Sequence, residues 1–244
     1  MSQPAQPTPD HPRMTQPAIP EIPLTDSMTT QEHAYLRLRN AIMVGALKPG
    51  TALTFRGLAQ QLDLSPTPIR EAVRQLSTEN AIEVLGNRRL RVPELGTGRF
   101  DELVALRITL ETHAAQRAFS YLSDVAIQEL TAIDDLMDAA VRDHDLDGLT
   151  RLNHRFHRLL YCLNPHQAVM PQIESIWLQL GPFQRQVIEN LNTIYTVDHH
   201  KAMLEAMRNH DPGALCAAIE RDIHDGSIRL GRQILNDAAT SSPR

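Results

Sequence analysis

The chain has 244 residues, 42% of them hydrophobic and 22% charged, with a net charge of −5. That length allows one or two domains with a real buried core, and the composition is that of an ordinary water-soluble protein. Aromatic residues at 4% argue against a stacking platform, no run of about 18 apolar residues supplies a transmembrane helix, and two isolated cysteines form neither a CxxC pair nor a disulfide framework.

The cysteines, Cys162 and Cys216, sit in apolar helical surroundings and are expected as buried free thiols in a reducing cytoplasm. The charge is unevenly divided: residues 31–95 carry +3 and residues 96–236 carry −6. A modestly basic small module joined to an acidic larger one suggests that only the first meets a polyanion.

Along the chain, MSQPAQPTPDHPRMTQPAIPEIPLTDSM places seven prolines in 28 residues and has no apolar segment of the signal-peptide kind. Proline at this density blocks helix and removes backbone donors, so residues 1–30 are expected as a disordered tail. Residues 31–95 then read as a compact module. QEHAYLRLRNAIMVG repeats Ala34, Leu38, Ala41 and Ile42 at helical spacing, and Pro49-Gly50 stops it. Thr54 caps a second helix whose Leu58, Ala59 and Leu62 face inward. Ser65 is the N-cap of a third, with Pro66 at its first position, where a missing N–H costs nothing. Its buried stripe is Ile69, Val73 and Leu76. IEVLGNRRLRV reads as a hairpin turning at Gly86-Asn87.

Helix, helix, turn, helix, hairpin is the order of a winged helix-turn-helix. The third helix offers free backbone N–H groups to phosphate. Ser65, Thr67, Arg70 and Arg74 lie on its polar side, within reach of a major groove. Arg88 and Arg89 sit at the hairpin tip, placed for phosphate or minor-groove contact. A helical hairpin with solvated arginines is the alternative.

GALKPGTAL followed by LAQQLDLSPTPIREAVRQLSTEN resembles the operator-binding domain of GntR-family bacterial regulators. The resemblance places Arg56, Ser65, Thr67 and Arg70 at DNA-contacting positions. Pro66 stands where the family often has arginine. Asn80 stands where glycine is usual, and asparagine tolerates the same left-handed backbone.

Residues 96–98 close a Pro/Gly linker, PELGTG. Residues 99–236 read as six helices, near 99–121, 124–143, 146–163, 166–192, 196–209 and 211–236, and 237–244 as a flexible tail. Breaks fall at Ser123-Asp124, Asp145, Asn164-Pro165, Thr196 and Asp211-Pro212. The fold class is therefore mainly α: a winged helix-turn-helix followed by an all-α bundle, a fold that builds polar sites between facing helices.

Helical angle selects the candidates for such a site. In LNHRFHRLL, Asn153 and His157 border the apolar stripe of Leu149, Leu152, Phe156, Leu159, Leu160 and Leu163, whereas His154 points away and is expected in solvent. His200 falls at the centre of the face made by Met203, Leu204 and Met207, with His199 a quarter-turn off. His224 shares a side with Ala217, Ile228 and Leu235. Such an N/O set suits a divalent metal ion, Zn²⁺, Ni²⁺ or Mn²⁺; separately satisfied core histidines are the alternative. Arg107 falls inside the stripe of the first bundle helix. It needs an acceptor there, either Glu111 four residues on or an anionic ligand.

RFDELVALRITLETHAAQRA, LNHRFHRLLYCLNPH and HKAMLEAMRNHDPGALCAAIERDIHDG resemble the FCD domain, the helical ligand-sensing partner in FadR-type GntR regulators. The likeness then spans residues 31–236. It implies that Asn153, His157, His200 and His224 are the metal positions and that Arg107 helps hold a ligand carboxylate. Asn153 stands where the family has an acidic residue, so the site is expected to be short of one negative charge.

The reading is a cytoplasmic, homodimeric regulator, a repressor of a catabolic operon, with no membrane partner. It binds palindromic double-stranded operator DNA and senses a small organic-acid effector. The same residues leave two alternatives. One is a hydrolase using three histidines to activate water, although Asn153 leaves it without an evident general base. The other is a structural metal whose removal unfolds the bundle.

Overall fold

The computed structural model describes residues 18–86, 89–189, 199–228, 231–232 and 234–236. The expected tip residues Asn87 and Arg88, the break at Thr196 and the segment 237–244 lie outside them.

The N-terminal module has the expected helices. α1 spans Thr30–Met43 and opens on a reciprocal capping box between Thr29 and Glu32. α2 spans Phe55–Leu62, capped by Thr54 Oγ1 accepting from Gly57 N at 3.0 Å. α3 spans Pro66–Thr78 with Ser65 as N-cap. The turns use left-handed residues: Asp63 ends α2 with φ 53°, and Asn80 has φ 57° in the turn after α3. The wing holds one strand more than the sequence suggested. β1 (Ala52–Thr54) joins β2 (Glu83–Val84) and β3 (Arg89–Arg91) in the order β1-β3-β2, all antiparallel. β1 runs straight into the cap of α2, so its three residues were too short to show alternation. Leu38, Ile42, Leu58, Ile69, Leu76 and Leu90 are fully buried between these elements.

Part of the expected tail is packed. Ile19 is buried in the same core, and α1 holds the segment by its backbone. Arg37 donates to the carbonyls of Ile19 and Pro20, and His33 Nε2 lies 2.9 Å from Ile22 O. Proline density forbade helix here, but an extended strand with an occasional isoleucine can still dock.

The bundle comprises α4 (Thr97–Ala118), α5 (Asp124–Arg142), α6 (Leu146–Tyr161), α7 (Met170–Glu189), α8 (His199–Arg208) and α9 (Pro212–Ile223). Ser123, Asp145 and Asp211 cap α5, α6 and α9 through their side chains, as the breaker chemistry predicted. The last predicted helix is not uniform. It widens to a π-turn over His224–Ile228, which interrupts the 3.6-residue register.

The two modules meet along α1 and α7. Leu178 of α7 is buried in the N-terminal core. A Cβ on Gly181 would come within 2.6 Å of Met43 O, so only glycine allows the helices this close. Glu174 accepts from Arg39 of α1 at 3.1 Å and from Arg158 of α6 at 2.8 Å.

Candidate metal centre and DNA-binding surface

The DNA-binding candidates stand on the surface of the first module. Ser65, Thr67 and Arg70 are exposed in the first two turns of α3, and Arg56 is exposed on α2. Ser65 makes no capping hydrogen bond, so its hydroxyl remains available. Arg74 is exposed too, but Glu71 accepts from its Nε at 3.0 Å, which reduces its free charge. Arg89 is exposed on β3 beside the wing turn.

In the bundle, α6 brings His157 to the centre, fully buried, and α8 brings His200 beside it, ring centroids 5.3 Å apart. Phe156 packs edge-on against His200 at 4.8 Å. The third donor is Asp222 of α9. One ligand atom from each of His157, His200 and Asp222 lies within 4.8 Å of the others.

Asp222 takes the place expected for His224. The buried stripe of α9 runs through Leu215, Ala218, Ile219 and Ile223, and Asp222 continues it one turn after Ala218. His224 lies two residues on, roughly opposite in helical angle. Its side chain is 58% exposed, with Nδ1 3.2 Å from Asp225 Oδ1. Asp225 also meets the buried His199, whose Nε2 is 2.9 Å from Oδ2. Asn153 is half-buried one turn before His157. Asp222 thus supplies the negative charge that Asn153 lacks.

A buried hydrogen-bond relay orients the His157 ring. Burial, then the charge of Glu111, raises the Tyr161 phenol well above its usual range, so it keeps its proton. Tyr161 Oη donates that proton to Glu111 Oε2 at 2.8 Å. Its oxygen can then only accept from His157 Nδ1, 3.0 Å away. His157 Nδ1 is therefore the donor of this pair, and the other ring nitrogen, Nε2, faces Asp222. Nε2 stands 3.4 Å from Asp222 Oδ2 without the alignment of a hydrogen bond. Although burial alone would raise it, His157, His200 and Arg107 hold the Asp222 carboxyl well below the usual range.

Arg107 is buried, and its Nε donates to Glu111 Oε1 at 2.6 Å. Trp177 Nε1 donates to the same oxygen at 2.8 Å. The acceptor inside the protein is therefore Glu111, as the i,i+4 spacing allowed. Tyr161 and Trp177 were not singled out in the sequence, although Tyr161 comes one turn after His157.

His154 departs from expectation. It is buried, not solvated, and its ring stacks on Trp177 at 4.8 Å and 20°. α7 covers that side of α6, which the angle of one helix cannot reveal. Burial, then the positive charge of Arg107, lowers its pKa to about 3. The cysteines also depart. Cys162 is exposed and Cys216 half-buried, its Sγ 3.7 Å from Thr112 O.

Among the described residues no helix is long and apolar enough to cross a membrane. Residues 30–92 match the model of bacterial regulatory proteins of the gntR family, and residues 102–225 match the FCD domain. The HTH-type transcriptional regulator McbR of Escherichia coli K12 is 30% identical over 181 residues, covering 71% of this chain and 80% of the relative. The gluconate operon transcriptional repressor of Bacillus subtilis 168 is 23% identical over 214 residues, covering 83% and 85%. The solved structure of E. coli McbR/YncC superposes with a TM-score of 0.77 at 25% identity, covering 87% of this chain and 99% of that one. This family consists of regulators rather than enzymes, so the hydrolase alternative finds no support. The chain belongs to the GntR family of DNA-binding transcriptional regulators, with a winged helix-turn-helix followed by an FCD domain.

Proposed function

We propose that this regulator acts in the cytoplasm as a homodimeric repressor of a catabolic operon, and that its FCD domain senses a small organic acid through a divalent cation. The operator would be palindromic, read by Arg56, Ser65, Thr67 and Arg70, with Arg74, Arg88 and Arg89 on the backbone. The cation, Zn²⁺, Ni²⁺ or Mn²⁺, would be held by His157, His200 and Asp222, with Asn153 adding a neutral oxygen. When bound, it supplies Lewis-acid attraction for a ligand carboxylate.

One observation carries the metal reading. His157 Nε2 is buried without a hydrogen-bond partner, 3.4 Å from Asp222 Oδ2, and a cation between them would satisfy both. Arg107 would assist with an anionic ligand through the part of its fork that Glu111 does not engage. The dimer reading is supported by exposed apolar residues on the bundle: Leu106 on α4, and Val125 and Leu136 three turns apart on one face of α5.

A thermal-shift screen of organic acids, with and without each metal, tests the sensing reading, because a ligand that binds only the folded state raises its stability. Stabilisation by one acid that needs the metal is the expected result, and the same acid should shift operator binding in a gel-shift assay. A panel of acids whose effects ignore the metal would refute it.

A further inference from the structure

A cleft of about 420 Å³ opens between α1 and the bundle. Four arginines line it: Arg39 from α1, and Arg151, Arg155 and Arg158 from α6. Two carboxylates oppose them. Glu174 is engaged by Arg39 and Arg158. Glu129 makes a long ion pair with Arg155 at 3.7 Å, both side chains exposed. Among the described residues no carboxylate pairs with Arg151. Four guanidinium groups thus face two carboxylates, Glu174 shared by two of them and Glu129 paired with Arg155, so the cleft keeps an excess of two positive charges; Arg151 and Arg155 are one helical turn apart on the same face.

At the base of the cleft lies the largely buried ring of His154, backed by Trp177 at 4.8 Å. A space of this size with several guanidinium groups on its lining can hold a small molecule. Paired guanidinium groups on adjacent turns match the oxygens of phosphate or carboxylate.

We infer that this cleft is a second ligand site, distinct from the His157–His200–Asp222 centre, and that it takes a small dianion of the phosphate-ester or dicarboxylate class on Arg151 and Arg155. Arg39 belongs to the DNA-binding module and the other arginines to the FCD domain. An anion seated among them binds the docked arrangement of the two modules and stabilises it.

Cys162 lines the cleft and is exposed, whereas Cys216 lies elsewhere and is half-buried, so alkylation by neutral iodoacetamide reports occupancy with an internal control. The full-length protein is titrated with inorganic phosphate or with succinate at constant ionic strength, and modified peptides are quantified by mass spectrometry. Saturable protection of Cys162 and not of Cys216 is expected, with the midpoint weakened at least about tenfold in Arg151→Ala/Arg155→Ala. Protection by phosphate alone assigns the phosphate class, and protection by succinate alone the dicarboxylate class. No protection by either anion, or equal protection in the double variant, overturns the site. Both arginines are exposed, so the variant is expected to fold, and its melting temperature checks this. The readout uses Arg151, Arg155 and Cys162, none of which belongs to the His157–His200–Asp222 cluster, so its failure and failure of the metal reading are distinguishable.

Discussion

His157 Nε2 faces Asp222 Oδ2 across 3.4 Å, with no aligned hydrogen bond between them. That relationship favours Asp222, and not His224, as the α9 contribution to the proposed metal centre. Asp222→Asn is expected to weaken metal binding by about 100-fold or more, and His224→Ala to leave it nearly unchanged. Competition with a chromophoric chelator measures both. The reverse ranking would restore His224.

Tyr161 holds His157 by its far nitrogen and also serves Glu111. Tyr161→Phe removes both bonds. It should cost about 1–3 kcal/mol in urea unfolding of the metal-free protein. Metal affinity should fall by roughly 10–100-fold, because the ring loses the partner that orients it. An unchanged affinity would mean that the relay has no bearing on the metal.

Much of this architecture was legible in the sequence, and each miss has a physical cause. Ser123, Asp145 and Asp211 marked helix starts because capping is local chemistry. His157 was placed inward because it borders an apolar stripe, and His200 because it falls at the centre of one. His154 was missed because its surroundings come from α7, which the angle of one helix does not carry. Asp222 was passed over because the stripe was drawn through Ile228 and Leu235, and the π-turn over His224–Ile228 breaks the register on which that drawing relied. Ile19 was missed because proline content describes what a segment cannot form, not what it can pack against.

Glu111 is fully buried and receives Arg107, Trp177 and Tyr161. Glu111→Ala strands the Arg107 charge and should destabilise the bundle by about 3–5 kcal/mol. Replacing both, as Arg107→Met with Glu111→Leu, should cost less than Glu111→Ala alone. Denaturant midpoints of the variants decide it. A double variant no more stable than Glu111→Ala would show that stranded charge is not the cause.

The His154 pKa of about 3 in the folded protein lies below the usual 6.5. Between those values the unfolded chain binds the proton and the folded one does not. This contribution to stability is therefore complete above about pH 6.5 and is lost as pH falls toward 3, at up to about 1.4 kcal/mol per pH unit. His154→Phe keeps a ring against Trp177 and should flatten the pH dependence of urea unfolding over that interval. An equally steep profile in the variant would contradict the burial of a neutral imidazole.

Arg70 is exposed near the start of α3, and no carboxylate pairs with it among the described residues. Arg70→Ala should cost about 1–3 kcal/mol of operator binding, with helicity and melting temperature retained. Arg74→Ala should cost less, because Glu71 already engages that guanidinium. Fluorescence anisotropy with operator DNA at fixed salt provides the ranking.

Trp177 is the sole tryptophan of the chain. Its indole N–H rests on Glu111, its face lies on His154, and the next residue, Leu178, is buried in the DNA-binding module. The intrinsic emission of this protein is therefore a single-site signal from the junction of its two domains. Events at the histidine centre, in the arginine cleft or at the docked winged helix all act within contact distance of one unlabelled chromophore.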